Sequence, residues 1–443
     1  MTRSCLTLAA LASLFALAAC ESKPAPKAEP APAPVAVDPD ANLPANKKLA
    51  LAKTTGTTGA DKAVTDAQTQ VRANMAKDDL WVVLGRAWVR KARESNDPGF
   101  YLNADACADV VLSKDADNKL ANDLRGLVLL NGHKFEEALT LAEKVVSKNP
   151  DDPMAWGNMH DASLELGRYG EAADAAQKMV DLKPNLPSYS RASYIQWLRN
   201  DVANAKATVR AALDSGRAAK SDPEPGAWVL VQAAMMFWHE GDYEGADAGC
   251  DKALERIGDY APANVCKGRV AMANGDPRRA AELFERAYKV SPLAETAWLM
   301  GDAYEANGRP EKAAEAYALV EKEGKRTDPR TYSMFLSTKN KDTEEALKLA
   351  REELSVRKDI YTEDTLAWAL YRAGKIDEAK AAIIHARRFD TPDARLVYHE
   401  GAIRLAAGDP KGKELVTKAL KMNKAFDSTG SKEAEKLLAV ATR

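Results

Sequence analysis

A short glycine motif recurs along this chain at nearly regular intervals, and this recurrence limits the folds available to it. Gly167, Gly241, Gly275, Gly308 and Gly374 are each followed, five residues later, by an alanine. These glycines are 74, 34, 33 and 66 residues apart, so the spacings are multiples of 33 to 37. A unit of this length is too small to bury its own apolar face, so copies of it must stack on one another. The period predicts a continuous array of stacked repeats and argues against two or three separate globular domains.

The residues inside each period carry a recognisable pattern of small side chains. The unit beginning at Ala261 has Gly268, Ala280, Ala287 and Pro292 at positions 8, 20, 27 and 32. Glycine and alanine at the first three of these positions let two helices approach closely. The pattern resembles the tetratricopeptide repeat (TPR), a 34-residue helix–turn–helix unit. The resemblance implies an all-α fold, a right-handed α-solenoid of about ten repeats.

Ten helix pairs are predicted, and two of them depart from the pattern. The first has an insertion near residues 96–99, and the eighth has a shortened first helix that ends near residue 340. Residues 60–77 and 431–441 are predicted to be capping segments, because a solenoid must cover its open apolar ends. The predicted pairs occupy residues 78–116, 119–152, 153–186, 187–220, 227–260, 261–293, 294–327, 329–359, 360–393 and 394–426.

The first twenty residues have the features of an export signal. An apolar segment, too short to span a bilayer, ends in Leu17-Ala18-Ala19-Cys20. This ending resembles the bacterial lipobox, which implies removal of residues 1–19 and lipidation of Cys20. The alternative is a plain signal peptide, which would also end in small residues. The resemblance implies a lipid anchor facing the periplasm, and Glu21 in place of an aspartate favours the outer membrane.

Proline dominates the segment that follows the lipobox. Seven of the 21 prolines fall between residues 24 and 44, and a threonine- and glycine-rich stretch follows. Proline blocks helix formation and favours extended chain. Residues 20–59 are predicted to be a disordered tether, residues 60–426 the solenoid and residues 427–443 a C-terminal capping helix. A tether of this kind would hold the solenoid on the order of 100 Å from a membrane, at ~3.1 Å per residue.

Composition and motifs exclude several functional classes. A formal charge of −2, from 63 basic and 65 acidic side chains, argues against a nucleic-acid partner. The sequence has no phosphate-binding loop, no His-Glu-x-x-His motif and no nucleophile elbow. The five histidines fall in different repeats, and His160 stands where a small packing residue is usual. We therefore expect a protein that is not an enzyme and that has no cofactor or metal site.

Aromatic residues on the first helices of the repeats suggest where a partner would bind. In tetratricopeptide repeats, positions 2, 5, 9, 12 and 13 of the first helix line the concave groove. Their apolar and aromatic members predict a groove suited to an amphipathic helix or an extended peptide. The alternative is that tight superhelical curvature buries these side chains inside the fold. The candidate groove residues are Tyr194, Trp197, Trp228, Val231, Met235, Trp238, Trp298, Trp368 and Tyr371.

Cysteine positions leave one pairing open. Cys250 falls on the second helix of one repeat and Cys266 on the first helix of the next, so the two helices are neighbours in a solenoid. The periplasm is oxidising, so a Cys250–Cys266 disulfide is one alternative. The other is a pair of small buried thiols. Cys107 has no evident partner.

Taken together, the sequence predicts a membrane-anchored periplasmic scaffold that docks protein partners in its groove. Envelope assemblies such as pilus, secretion, motility and outer-membrane biogenesis systems use tetratricopeptide lipoproteins of this kind. The alternative function is an accessory factor for an envelope enzyme, or a maintenance protein that binds glycan or peptidoglycan, since aromatic side chains also stack on sugars.

Overall fold

The computed structural model describes residues 40–95, 97–216 and 223–440, and these residues form helices and loops without any strand. Residues from Leu43 onward belong to one compact unit. The helices are α1 (Ala45–Ala50), α2 (Gly59–Ala73), α3 (Asp78–Ser95), α4 (Phe100–Leu112), α5 (Lys119–Asn131), α6 (Phe135–Lys148), α7 (Pro153–Glu165), α8 (Tyr169–Leu182), α9 (Leu186–Leu198), α10 (Val202–Ser215), α11 (Glu224–His239), α12 (Tyr243–Arg256), α13 (Ala261–Ala273), α14 (Pro277–Val290), α15 (Ala294–Ala306), α16 (Pro310–Thr327), α17 (Pro329–Thr338), α18 (Thr343–Val356), α19 (Ile360–Arg372), α20 (Ile376–Ala386), α21 (Ala394–Ala406), α22 (Lys411–Met422) and α23 (Gly430–Val440).

The ten helix pairs run from α3/α4 to α21/α22, and the predicted α-solenoid fold is confirmed. We number them pair 1 to pair 10 in chain order. Pair 6 shows that the small residues do what the pattern predicted. In pair 6, a Cβ atom added to Gly268 would overlap the ring of Phe284, and Ala280 and Ala287 are fully buried. The two helices therefore pack at a distance that larger side chains would prevent.

The turns inside the pairs explain the uneven glycine spacing. Gly167, Gly241 and Gly374 end the first helix of their pairs with a positive φ, between 71° and 77°. In the two long gaps of the motif the same conformation is taken by Asn200, with φ 63°, and by Asn340, with φ 51°. Asparagine is one of the few residues besides glycine that visit this region at modest cost. The array is therefore continuous through both gaps.

Helix α1 corrects the predicted extent of the tether. It lies inside residues 20–59, and Ala50 and Leu51 at its end are buried. The last carbonyl groups of a helix have no partner within it, and here four consecutive carbonyls accept bonds from other helices. The prediction of a disordered segment up to residue 59 is therefore wrong for this stretch. The bonds run from Asn103 to Leu49 (2.7 Å), Trp88 to Ala50 (2.9 Å), Arg72 to Leu51 (3.1 Å) and Gln68 to Ala52 (2.7 Å).

Helices α2 and α23 lie at the two ends of the array, in the ranges predicted for caps. Helix α2 packs on α3, and its N-terminus is closed by a reciprocal bond pair between Thr58 and Asp61. Helix α23 packs on α21 and α22, and its buried residues are Gly430 and Ala434. The C-terminal helix is thus more lightly held than the helices of the array.

Candidate partner-binding face

The nine residues predicted to line an open groove lie mostly inside the fold. Trp197, Val231, Trp238, Trp298 and Trp368 are buried, and Tyr194, Met235 and Tyr371 are half-buried. Trp228, at the start of α11, is 41% exposed and stands apart from the others. The prediction of an open aromatic groove is therefore wrong for the five buried residues. The alternative of burial by tight curvature describes them instead.

Contacts between successive turns of the superhelix close the inner face. The turn of pair 3 meets the loop between pairs 8 and 9, and the same offset recurs for the turns of pairs 4 and 5. In each case the acceptor is a carbonyl at the C-terminal end of a first helix, where intrahelical partners are missing. The three bonds run from Lys358 N to Glu165 O (2.7 Å), from Thr391 Oγ1 to Leu198 O (2.6 Å) and from Asn423 Nδ2 to Trp238 O (2.7 Å).

Two turn glycines lie directly beneath these loops. A Cβ atom added to Gly241 would meet the carbonyl oxygen of Met422 at 2.8 Å, and one added to Gly167 would overlap the carbonyl oxygen of Lys358. The equivalent positions Gly275 and Gly308 have no atom within 4 Å. Glycine therefore serves the backbone turn at all four positions, but it also permits close approach at the first two.

Ion pairs fill part of the inner face between repeats. Arg191 makes a two-point contact with Asp161, at 2.8 and 2.6 Å, which is the geometry that a planar guanidinium favours. Burial raises the pKa of Asp161, but the Arg191 guanidinium outweighs this effect and holds it below its ordinary value. Glu165 pairs with Arg357 at 2.7 Å, and burial raises the pKa of Glu165 despite that partner. Charges of both signs thus line this face.

Three buried tryptophans of the predicted groove hold the interior together by their rings. Trp238 lies under the Arg269 guanidinium at 5.4 Å, and Trp298 makes an edge contact with Phe335 at 5.6 Å. Trp368 stacks on His399, with ring centroids 3.9 Å apart. None of the three indole N–H groups has a hydrogen-bond acceptor among the described residues. The contacts assign these rings to packing and cation–π stabilisation.

Each histidine on this face lies beside an oxygen atom of another segment of the chain. Burial lowers the pKa of His239, although Asp393 lies 3.7 Å from its Nδ1 and opposes the shift. His399 Nδ1 contacts Asp364 Oδ1 at 2.9 Å in a fully buried pair. His160 is buried and donates from Nδ1 to the carbonyl of Ala172 at 2.7 Å. Each of these rings serves packing between helices.

The structure joins Cys250 on α12 to Cys266 on α13 in a disulfide, with Cα atoms 6.5 Å apart. Of the two alternatives left by the sequence, the structure has the bridged one. The bond links pairs 5 and 6 and closes a short loop, which restricts the unfolded chain. Cys107 is buried in pair 1, and burial raises the pKa of its thiol well above the ordinary range.

A pocket of about 470 Å³ opens at the seam between superhelical turns, which is where pair 3 meets pairs 8 and 9. Leu166, Leu354 and Leu366 form its apolar wall. At its rim, His385 Nδ1 lies 2.6 Å from Glu363 Oε1, and burial raises the pKa of Glu363 against the effect of Arg388. The seam therefore leaves a cavity open beside the bond from Lys358 to Glu165.

Two features of the prediction meet the limits of the described chain. Cys20 and the whole segment predicted as signal peptide lie outside the described residues. Within residues 40–95, 97–216 and 223–440, no helix has the length and apolar character needed to cross a membrane. The same residues hold no group of three or more His, Cys, Asp or Glu side chains placed to bind a metal ion.

Comparison with known proteins agrees with the repeat pattern. A family model described as "Tetratricopeptide repeat" matches residues 124–187 and 267–329. No curated protein matches the sequence. Similar solved structures include one described as "Human IFIT1 dimer with m7Gppp-AAAA", at 15% identity over 81% of this chain and 85% of that one, with a TM-score of 0.48.

Two further structures have lower scores. PilW, described as a widely conserved type IV pilus biogenesis factor, shares 15% identity over 50% of this chain and 99% of its own, with a TM-score of 0.41. Yeast Tom70 shares 14% identity over 86% and 96% of the two chains, with a TM-score of 0.37. Similarity at these levels says nothing about a partner. Tetratricopeptide repeats are, as a fold, interaction scaffolds for proteins, and they are generally not catalytic.

Sequence reasoning missed the contacts between superhelical turns. These contacts involve backbone carbonyls and residues such as Thr391 and Asn423, which lie outside the repeat signature. Gly241 and Gly275 have the same motif in the sequence, yet only Gly241 lies under a loop. The sequence therefore held no local signal that would have distinguished them.

Proposed function

We propose that this tetratricopeptide-repeat protein is a lipid-anchored scaffold of the bacterial cell envelope that docks a protein partner at the exposed start of α11. The anchor would be Cys20, and the solenoid would face the periplasm, with the outer membrane favoured over the inner. The scaffold itself performs no chemical step and needs no cofactor. Its role is to hold a partner at a fixed distance from the membrane, within an assembly such as a pilus, secretion, motility or outer-membrane biogenesis system.

The exposure of Trp228 is the observation that carries this proposal. It is the most exposed of the predicted groove residues, at 41%. Its neighbours on the same helix, Val231 and Trp238, are buried, so the helix that presents it is firmly held. An accessible tryptophan on a rigid helix is the kind of anchor that dominates protein interfaces.

Charged groups surround the start of α11 and would give the contact its orientation. Tyr260 donates a hydrogen bond to Glu224 at 2.9 Å, and the Arg256 guanidinium crosses beside Gly226. An aromatic residue with flanking charges of both signs suits a peptide segment better than a phosphate backbone. The formal charge of −2 and the mixed ion pairs of the inner face support a protein partner over a nucleic acid.

Affinity recovery from membranes tests the docking site. The full-length chain, its Trp228→Ala variant and a Leu102→Ala control would be expressed in the native host, crosslinked and purified from the envelope fraction. Leu102 is 63% exposed on α4, so its variant removes an exposed apolar side chain elsewhere. We expect at least fivefold lower recovery of the same partner with Trp228→Ala and no change with Leu102→Ala. Equal recovery with both variants, or retention on peptidoglycan without a protein partner, would contradict the proposal.

Lipid labelling tests the anchor separately. Growth with radiolabelled palmitate should label the wild-type chain, and Cys20→Ser should abolish the label. The same variant should move the protein from the membrane fraction to the soluble fraction, because it removes the proposed lipid attachment. A Cys20→Ser chain that remains labelled and membrane-bound would contradict lipid anchoring at this residue.

A further inference from the structure

Residues 423–440, which we call the C-terminal segment, do more than cover the end of the array. The segment consists of the loop after α22 and helix α23. Its contacts reach five different helix pairs: the bond from Asn423 to pair 5 continues the contacts between superhelical turns, and further contacts reach pairs 7 and 8, which are remote in sequence. A simple end cap would contact only its neighbouring repeat. The segment therefore lies along the inner face in the manner of a bound peptide.

Polar bonds attach the loop to pairs 5, 7 and 8. Asn423 accepts a bond from the Tyr243 hydroxyl at 2.7 Å and donates to the carbonyl of Trp238 at 2.7 Å. Ser428 donates to Asp302 at position 9 of pair 7, and Lys339 of pair 8 contacts the Thr429 hydroxyl at 3.5 Å. Trp238 and Asp302 both lie on first helices of their pairs, so the loop runs along the face that these helices present.

Two side chains of the segment form its anchors on pairs 9 and 10. Phe426 is buried and packs on the ring of Tyr398, with centroids 5.3 Å apart. Glu433, seven residues later, is held by Arg372 at 2.5 Å and by the Tyr398 hydroxyl at 3.1 Å. Arg372 and Tyr398 stand at positions 13 and 5 of their first helices. The surface thus offers an aromatic platform beside a fixed cation.

The segment's own helix is weakly supported. Helix α23 has 11 residues, and isolated helices of this length are marginal in water. Its Leu437 and Leu438 are only half-buried, and Val440 at its end is 74% exposed. Besides Ala434 and the partly buried Leu437 and Leu438, which pack on the core, the two anchors and the loop bonds hold the helix in place, so a competitor that supplies the same anchors would weaken its attachment.

We propose that the surface formed by pairs 7 to 10 beneath the C-terminal segment is a second docking surface, which recognises a partner segment with an aromatic residue and, seven residues later on a helix, a carboxylate. The chain's own residues 423–440 cover this surface until such a partner displaces them. The inference extends the proposed scaffold function and rests on it only for the existence of a partner. The surface is distinct from Trp228 on α11.

A peptide competition experiment tests the inference without the natural partner. The probe is a fluorescent synthetic peptide of residues 423–440, added to the full-length chain. In the Glu433→Lys chain, Arg372 loses its partner, so the tethered segment is weakened and the probe should bind at least tenfold more tightly than to wild type. Glu435→Lys is the matched control, because Glu435 is exposed on the same helix. It should bind the probe like wild type, and a probe carrying Glu433→Lys should bind neither chain.

Hydrogen exchange on the wild-type chain gives an independent readout that needs no variant. Amides of residues 431–440 should exchange at least tenfold faster than those of α21, on which the segment rests. If Glu433→Lys disturbs the fold by circular dichroism, Phe426→Ala replaces it in the peptide assay. Exchange in α23 as slow as in α21, or equal weak binding of the probe to a folded variant and to wild type, would overturn the inference. Neither result bears on partner recovery at Trp228, so the two proposals fail separately.

Discussion

The hydroxyl oxygen of Tyr169 accepts a hydrogen bond from the backbone amide of Ile360, 2.8 Å away and 191 residues further along the chain. Tyr169 is the first residue of α8 in pair 3, and Ile360 is the first residue of α19 in pair 9. Both residues are buried, and burial, with the nearby Asp359 carboxylate, raises the pKa of the Tyr169 phenol. The Tyr169 hydroxyl thus provides the acceptor for a buried backbone amide at the seam between two superhelical turns.

Tyr169→Phe should therefore destabilise the fold. The substitution leaves the buried amide of Ile360 without its acceptor, which costs about 1–3 kcal/mol in the free energy of unfolding. Urea denaturation followed by circular dichroism measures it. Tyr304→Phe is the control, because the Tyr304 ring is also buried but its hydroxyl makes no hydrogen bond to any described residue. Equal midpoints for the two variants would mean that the seam bond contributes nothing.

A comparison of Gly241→Ala with Gly275→Ala should separate two free-energy costs. One is the cost of a positive φ at a residue other than glycine, and the other is the cost of a steric clash between superhelical turns. Both glycines have φ 77°, so alanine at either position costs about 1–2 kcal/mol from the left-handed backbone alone. Only at Gly241 would the new Cβ meet another turn of the chain, at the carbonyl oxygen of Met422. Gly241→Ala should lower the thermal midpoint further than Gly275→Ala. Identical shifts would argue against close packing at this seam.

Trp238→Ala should mainly lower the stability of the fold, whereas Trp228→Ala should mainly weaken partner docking. Trp238 is buried, so its truncation should cost about 3–5 kcal/mol in the free energy of unfolding. Trp228 is 41% exposed and so buries less of its side chain, and its truncation should cost clearly less than that of Trp238. Chemical denaturation of the two purified variants checks this. A large loss of stability with Trp228→Ala would place that side chain in the core and remove it from the docking proposal.

Asp123→Asn should stabilise the protein more at pH 8 than at pH 5. Burial, together with the Asp152 carboxylate, raises the pKa of Asp123 to about 7, against the opposing effects of Arg86 and Lys119. The folded chain then holds a proton that the unfolded chain releases near pH 4, so stability falls as the pH rises from about 4 to about 7. The asparagine variant lacks this loss.

Unfolding in urea at the two pH values measures the difference for Asp123→Asn. Asp66→Asn serves as the control, since it changes the charge of an exposed residue in the same way. An Asp123→Asn variant whose gain is the same at both pH values would show that the buried carboxyl does not titrate in this range.

The fold could be predicted from the sequence because the small residues at the helix contact recur in the repeats. Gly268 and Ala280 lie at the contact between the two helices of pair 6, and the 34-residue period indicates that the same contact recurs along the array. Even the two interruptions of the glycine motif obey the same rule, once Asn200 and Asn340 are recognised as residues that accept a positive φ. Helix α1 escaped prediction because its stability comes from side chains of α2, α3 and α4.

The candidate site could be predicted only in part. The positions of the aromatic residues on the first helices were readable, but their exposure depends on superhelical curvature, which is the sum of small rotations over many repeats. Trp228 and Trp238 occupy the same helix, but Trp238 also packs against Arg269 of the next pair, and its carbonyl accepts a bond from the remote Asn423. No pattern within one repeat encodes contacts such as that between Trp238 and Asn423.

The seam also fixes how many repeats this protein holds. Solenoids whose units contact only their neighbours tolerate the gain or loss of a unit, since each interface is preserved. Here the turns of pairs 3, 4 and 5 are each matched to a loop a constant number of pairs later. Removing one pair from the middle would place every downstream loop opposite the wrong turn. The repeats share one pattern, but the contacts between superhelical turns fix how many of them the fold must contain.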